Sequence, residues 1–330
     1  MSDSKILRYL GLCEEKEFLE NPVPDAVMHL DIASAGLDVP ADAQMIYDGG
    51  LTRGPNLHRP NFYVCSGSIA YAFDIRTIGY LLKWALGGYS FDEDSPLNKH
   101  SIWGGSSNEL DSFCARLGKD VFEHVFSGCV INTLTINVEG EYCRATADIR
   151  AAKDSKADLK NLNELLLPDE YPLAFYEVEC EIAEQNESAK VQSFTLEINN
   201  NIGEDSGRTI GTRYPRLFKA AERTVTVSSN LVFSDTAELE RFWGGADGPV
   251  DSGTTEFELK YSFAAAGDGN MEIVLPRFIY TSVGQQPSGR DALIQPVSGR
   301  AFLPQEISTD TDTDIQIELE NKEEDMQLAS

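Results

Sequence analysis

The chain has 330 residues, enough for one large domain or two ordinary ones. Its 42% apolar content supports a buried core without a disulfide or metal staple. Fifty-four acidic residues face 27 basic ones, for a formal net charge of -27. Such a chain repels a phosphate backbone on average, which weighs against tight nucleic-acid binding through counterion release. The acid keeps the protein soluble, reflects a salty habitat, or suits a surface that must face DNA without holding it.

Residues 1–40 read as an N-terminal arm interrupted by Pro22, Pro24 and Pro40, with at most a short helix around 5–12. The start is too short in apolar residues for a signal peptide, and no run could span a bilayer. From 63 to 73, Tyr63, Cys65, Ile69, Tyr71 and Phe73 alternate with Ser66, Ser68 and Ala70, the period of a half-buried strand. Asp74 then caps a short helix whose Ile75, Ile78, Leu82 and Leu86 suit one side laid on a sheet. Gly87-Gly88 ends it. Val130, Asn132, Leu134, Ile136 and Val138 form another alternating face, and Glu139-Gly140 turns into a partner strand at 142–151.

Residues 152–172 read as a linker with a helical portion near 159–167, ended by Pro168. Strands are predicted at 174–182, 191–200 and 224–233. Asp235-Thr236-Ala237-Glu238 has the capping-box pattern, in which Asp235 accepts from the first amides and Glu238 reaches back, and Gly244-Gly245 stops that helix. Phe257, Leu259, Tyr261 and Phe263 alternate against Glu256, Glu258 and Lys260. Gly267 to Asn270 then turns into a strand at 271–281. A last strand at 315–319 precedes a charged tail from Lys322 that reads as disordered.

Strand, acidic cap, short helix and glycine pair thus occur twice, at 63–88 and 223–245. The chain divides accordingly into the 1–40 arm, a first β domain at 41–157, a second at 158–321 and an acidic tail at 322–330. Chemistry is sparse. No phosphate-binding, dinucleotide, zinc-protease or serine-hydrolase motif occurs. His29, His58, His100 and His124 lack helical ligand spacing and read as surface or loop polarity. Cys13, Cys65, Cys114, Cys129, Cys143 and Cys180 form no C-x-x-C pair and read as small hydrophobes made in a reducing compartment. Asp310, Asp312 and Asp314 alternate like a calcium loop, but Ile315 replaces its glycine and Asn321 its bidentate Glu, which leaves an exposed acidic turn. Asn186-Glu187-Ser188 is a sequon without a secretion signal. No catalytic, cofactor-binding or metal-binding residue is assigned.

Several segments in order resemble the tail tube proteins of long-tailed, non-contractile bacteriophages and related archaeal viruses. They are the 9–18 opening with Glu14, Glu15 and Glu17, CSGSIAYAFDIRTIGYLLKWALGG (65–88), FSGCVINTLTINVEGEYCRATADIRA (126–151), FTLEINNNI (194–202) and TVTVSSNLVF (224–233). The sparse basic content and the acidic tail depart from that pattern. The resemblance implies a mostly β protein of two fused tube-type barrel or sandwich folds, each with a short flanking helix. It implies a structural virion protein made in the host cytoplasm, which polymerises into stacked rings forming an acidic conduit for genome ejection, and no enzyme. Family members with one tube fold form hexameric rings, so two folds per chain would make a trimer a pseudo-hexamer. Partners would be further copies, tape-measure, tail-tip and terminator proteins, and viral DNA in passage, without membrane insertion. The 1–40 arm and the 89–125 segment would reach a neighbouring ring, and the polar faces of the 129–151 and 255–281 hairpins would line the lumen. The competing classes are a β-sandwich adhesin or carbohydrate-binding module, expected to show clustered exposed aromatics, and a hydrolase with scattered carboxylates.

Overall fold

A computed structural model describes residues 8–326 apart from 31, 33, 41–42, 48–54, 56, 95, 169–170, 252, 266–268, 285–292 and 310. The first half runs β1 (Leu10–Glu14), β2 (Met28–Leu30), β3 (Ser34–Ala35), β4 (Gln44–Tyr47), β5 (Leu57–Pro60) and β6 (Cys65–Ala72). Helix α1 (Ile78–Leu86) follows, then β7 (Gly87–Asp92), β8 (Asn98–Gly104), β9 (Phe113–Gly118), β10 (Glu123–Val138) and β11 (Cys143–Ala157). The second half runs β12 (Val178–Ile182), β13 (Gln185–Asn186), β14 (Val191–Asn199) and β15 (Thr224–Val232). Helix α2 (Ala237–Trp243) leads to β16 (Phe257–Ala265), β17 (Gly269–Val283), β18 (Ile294–Ala301) and β19 (Gln316–Asn321).

All the ladders are antiparallel. One run has the order β6–β11–β10–β14–β15–β18–β17. A second has the order β13–β12–β16–β17–β19–β8–β7. The long strands β10 and β17 each serve two ladders. The first half of β10 pairs with β9, which continues to β1 and β2, and its second half pairs with β14. β17 pairs with β19 up to Val274 and with β18 from Phe278. Followed pair by pair, the ladders branch at these two strands and close no ring among the described residues, so the arrangement is a sandwich and not a barrel. β4 and β5 form a hairpin apart from the main sheet, with Met45, Ile46 and Leu57 exposed.

The two runs face each other across one core. The Phe194 ring on β14 stacks 3.8 Å from Tyr261 on β16, and Phe73, just after β6, lies 6.1 Å from Phe263. A single apolar cluster contains residues of both halves, from Leu10 to Met326. Along β14 and β16 the alternation read from the sequence is the alternation observed. On β10 it is not continuous. The register shifts between Ile131 and Thr133, so Ile131 and Leu134 enter the main core while Val130 joins a smaller cluster with Ile202 and Phe218. Asn132, at the bulge, accepts from the Asn200 amide at 2.8 Å through its carbonyl and from the Ile202 amide at 2.8 Å through its side chain.

The acidic caps and glycine stops follow the predicted chemistry at both helices, whereas the capping box at Glu238 does not form. Asp74 Oδ1 accepts from the amides of Arg76 at 2.9 Å and Thr77 at 2.8 Å, and every residue of α1 is buried. Asp235 accepts from the Ala237 amide at 3.1 Å, but Glu238 does not reach back. It is buried and accepts from Tyr280 Oη at 2.7 Å and from Arg241 at 2.6 Å. Gly87 and Gly244 end the helices with φ of 79° and 74°, the left-handed conformation that favours glycine. A Cβ on Gly244 would sit 1.9 Å from the Gly253 carbonyl oxygen.

Several segments fold differently from the expectation. In place of a helix at 5–12, residues from Leu10 onward form β1, with residues 5–7 outside the described set; Leu10 and Leu12 are fully buried. The stretch from 89 to 125 carries strands too, of which β8 and β9 are paired on both sides. The β1–β9 register sets Cys13 opposite Cys114, and the two form a disulfide with Cα atoms 5.0 Å apart. The helical portion near 159–167 shrinks to one 3-10 turn, Leu162–Glu164. The tail from Lys322 docks on α1 as far as Met326. Tyr80 Oη donates to Glu323 at 2.9 Å, and the buried Lys83 ammonium donates to the Met326 carbonyl at 2.6 Å and ion-pairs with Glu14. That pairing makes a buried lysine tolerable in the apolar helix.

Glu15, just after β1, accepts from the Gly128 amide at 2.9 Å and 3.1 Å, where β10 bulges against β9. Burial pushes its carboxyl up from 4.5 to about 7, although that amide pulls the other way. The folded state therefore holds this proton more tightly than the unfolded chain does. Its contribution falls as pH rises from 4.5 to about 7 and is level above that. Urea unfolding at pH 5 and pH 8 should show Glu15→Gln gaining relative to the parent at pH 8, and an equal difference at both pH values would contradict the assignment.

Candidate functional site

The side of the first run turned away from the core carries the most coherent surface. Ser66 and Ser68 stand on β6, Thr146 on β11, Thr135 and Asn137 on β10, and Thr195 on β14. Thr226, Ser228 and Asn230 continue it on β15 and Ser298 on β18. Period-2 alternation places them, since each lies between inward residues such as Ile136, Leu196 and Val227. Facing pairs bond across the strands. Asn137 Nδ2 donates to Thr195 Oγ1 at 3.1 Å, Asn230 Nδ2 donates to Ser193 Oγ at 3.1 Å, and the hydroxyls of Ser228 and Ser298 are 3.1 Å apart. These three pairs satisfy one another on a hydroxyl-rich face.

The charge on that face is nearly balanced. Arg144 and Arg150 on β11 and Arg300 on β18 stand against Asp148 and Glu197. The acid lies on the other run, with Glu179 and Glu181 on β12, Glu258 on β16, Glu272 on β17, and Glu318 and Glu320 on β19. Lys260 meets Glu272 at 3.0 Å and Lys99 meets Glu320 at 3.4 Å, which offsets only part of it. The polar faces of the 129–151 and 255–281 hairpins therefore belong to different surfaces, one neutral and one acidic.

Three of the four histidines are buried instead of lying in surface loops. His29 Nδ1 accepts from the Leu166 amide at 3.0 Å. His100 sits between Tyr89 Oη and Asn321 Oδ1, each at 3.0 Å. His124 contacts Asp154 at 2.9 Å. Burial holds the imidazoles of His29 and His100 below their ordinary range, so both are neutral fixtures of the fold. His58 is exposed on β5. Asp312 accepts from the amides of Ser308 and Thr309, both at 2.8 Å, in an exposed turn. Asp314 is buried and pairs with Arg223 at 2.6 Å, and Asp310 lies outside the described residues. No group of three or more His, Cys, Asp or Glu among the described residues is placed to hold a metal ion. No helix among them is long and apolar enough to cross a membrane.

The aromatics are not all internal. Tyr142, Tyr171, Phe175 and Tyr176 are exposed where the turn between β10 and β11 meets the chain entering β12, through a bridge between Tyr142 and Ala174. Sequence alternation could not find this group, because it lies in turns and not on a strand face.

Residues 8–301 match a family model described as phage tail tube protein. No curated protein matches the chain.

Because Ser228 is exposed and the half-buried Thr135 points away from the core, Thr135→Ala and Ser228→Ala should each stay within about 0.5 kcal/mol of the parent in urea unfolding. A loss above about 2 kcal/mol would mean that the hydroxyl ladder holds the fold and is not only a surface.

Proposed function

The chain belongs to the phage tail tube proteins, structural components of the virion, and from that premise we propose how its copies enclose a conduit. The carrying observation is the seven-strand run that passes through both halves of the chain by way of β14. One border is short. β3 and the segment to Asp38 flank β6 at Ala70 to Ser66. At the other border, Ile279–Val283 pairs with β18 on one side, and no ladder among the described residues covers its far side. An unpaired strand border is a template for another chain. Copies joined there, border to border, would turn the neutral hydroxyl face inward and the acidic sheet outward.

The duplication is part of the same proposal. In the first half, β6, α1, β9, β10 and β11 assemble with the strand order β9–β10–β11–β6. In the second, β15, α2, β16, β17 and β18 assemble as β16–β17–β18–β15. The helix follows the same strand in both. Two such units per chain let three chains supply six, so the ring is a trimeric pseudo-hexamer. Native mass spectrometry or image averages of purified rings should give three chains per ring. Six chains would overturn the pseudo-hexamer, and a chain that stays monomeric at high concentration and beside its tail partners would overturn the ring.

Genome passage follows from what the lining lacks. A sheet whose hydroxyls and amides bond one another, with few cations, offers phosphate little to hold. The negative charge of the whole particle repels the genome further, while tape-measure, tail-tip and terminator proteins set length and ends. Thr135→Lys with Ser228→Lys should slow genome ejection and make it salt-dependent. Unchanged ejection at low salt would remove the neutral face from the lumen.

A further inference from the structure

Two exposed features lie at opposite ends of the neutral sheet. The aromatic apex holds Tyr171, Phe175 and Tyr176, exposed by 87%, 53% and 75%, with Tyr142 beside them. It sits at the β10–β11 turn, level with Phe194 near the start of β14. Glu139, Glu141 and Glu179 surround it, also exposed. At the far end, where β14 and β18 finish and β15 begins, a groove of about 710 Å³ opens, lined by Arg223, Arg277, Arg300, Phe302, Leu303 and Ile307. The Phe302 ring lies under two guanidinium groups, Arg277 at 5.9 Å and Arg300 at 5.7 Å. Phe194 pairs with Ser229, so the stretch of β15 from Thr224 to Ser229 separates the two ends by about 17 Å.

We propose that the groove receives the aromatic apex of a second copy of this chain, so that copies stack head to tail along the strand direction. The chemistry matches on both counts. Tyrosine and phenylalanine are the side chains that anchor buried contacts, and arginine over an aromatic ring is their usual counterpart. Arg223 is held by the buried Asp314 on the groove wall, so Glu139, Glu141 and Glu179 would bring their negative charge to Arg277 and Arg300. Within the chain, Arg300 meets Glu222 at 2.7 Å and Arg277 meets Glu256 at 2.5 Å, both pairs at the solvent-exposed surface where an incoming carboxylate can compete. Since the two patches differ and face opposite ways, the contact does not close on itself and propagates as a filament. This rests on the ring reading only for what is stacked, rings in place of single copies.

The test uses the full chain in three forms: the parent, an apex variant (Tyr171→Ala, Phe175→Ala, Tyr176→Ala) and a groove variant (Arg277→Glu, Arg300→Glu). Sedimentation and negative-stain images should show each variant still forming rings. The concentration needed for stacks of rings should rise at least about thirtyfold. Mixing the two variants should yield ring pairs and nothing longer, since only one intact contact exists between them. Stacks from either variant at parental concentrations, or a mixture no different from its components, would overturn the proposal. Should the parent form no rings, the lateral reading fails; end-to-end chains of single copies abolished by the same variants would still support this contact, and chains unaffected by them would overturn it. The single changes Tyr176→Ala and Arg300→Ala give the same reading if a multiple variant unfolds.

Discussion

The fold depends on β14 being paired on both sides. Its Phe194, Leu196 and Ile198 enter the core, while its two borders complete β10 on one side and β15 on the other. Buried backbone amides and carbonyls must find partners, and a sheet interrupted here would leave two long borders open inside the molecule. With β14 in place, the halves share one core and one continuous outer face. The free borders are displaced to β3 and the end of β17, the positions at which copies are proposed to join.

The two long strands solve a geometric problem. A sandwich needs strands to leave one sheet and enter the other, and β10 and β17 do so beside local register shifts, near Asn132 on β10 and between Leu275 and Phe278 against β16. The consequence for function is a separation of surfaces. Hydroxyl and amide residues collect on the run that spans both halves, while most of the strand-borne acid collects on the run through β16 and β19. A protein of net charge -27 can thus present a face that neither attracts nor strongly repels.

Legibility in the sequence followed local physics. Strand alternation along β6, β14 and β16, the Asp74 and Asp235 caps, and the glycine stops at Gly87 and Gly244 were readable because each depends on near neighbours. What depends on distant parts of the chain was not. β1 reads Leu10-Gly11-Leu12-Cys13, buried on both faces, so it shows no alternation to separate it from a helix. The Cys13–Cys114 pairing spans 101 residues and is set only by the β1–β9 register. The charged C-terminal segment looked disordered because its partners, Tyr80 and Lys83 on α1 and Arg76 just before it, lie some 240 residues earlier (243 for Tyr80). On the surface, the hydroxyl face followed from strand parity, whereas the apex and groove are built from turns brought together by the ladders.

Border-to-border joining through β17 is the central claim, and hydrogen exchange on assembled and dissociated chains tests it most directly. The amides of Ile279–Val283 not paired with β18 should become protected on assembly. If they exchange at the same rate in both states while assembly proceeds, the copies join elsewhere and the lumen has been assigned to the wrong sheet.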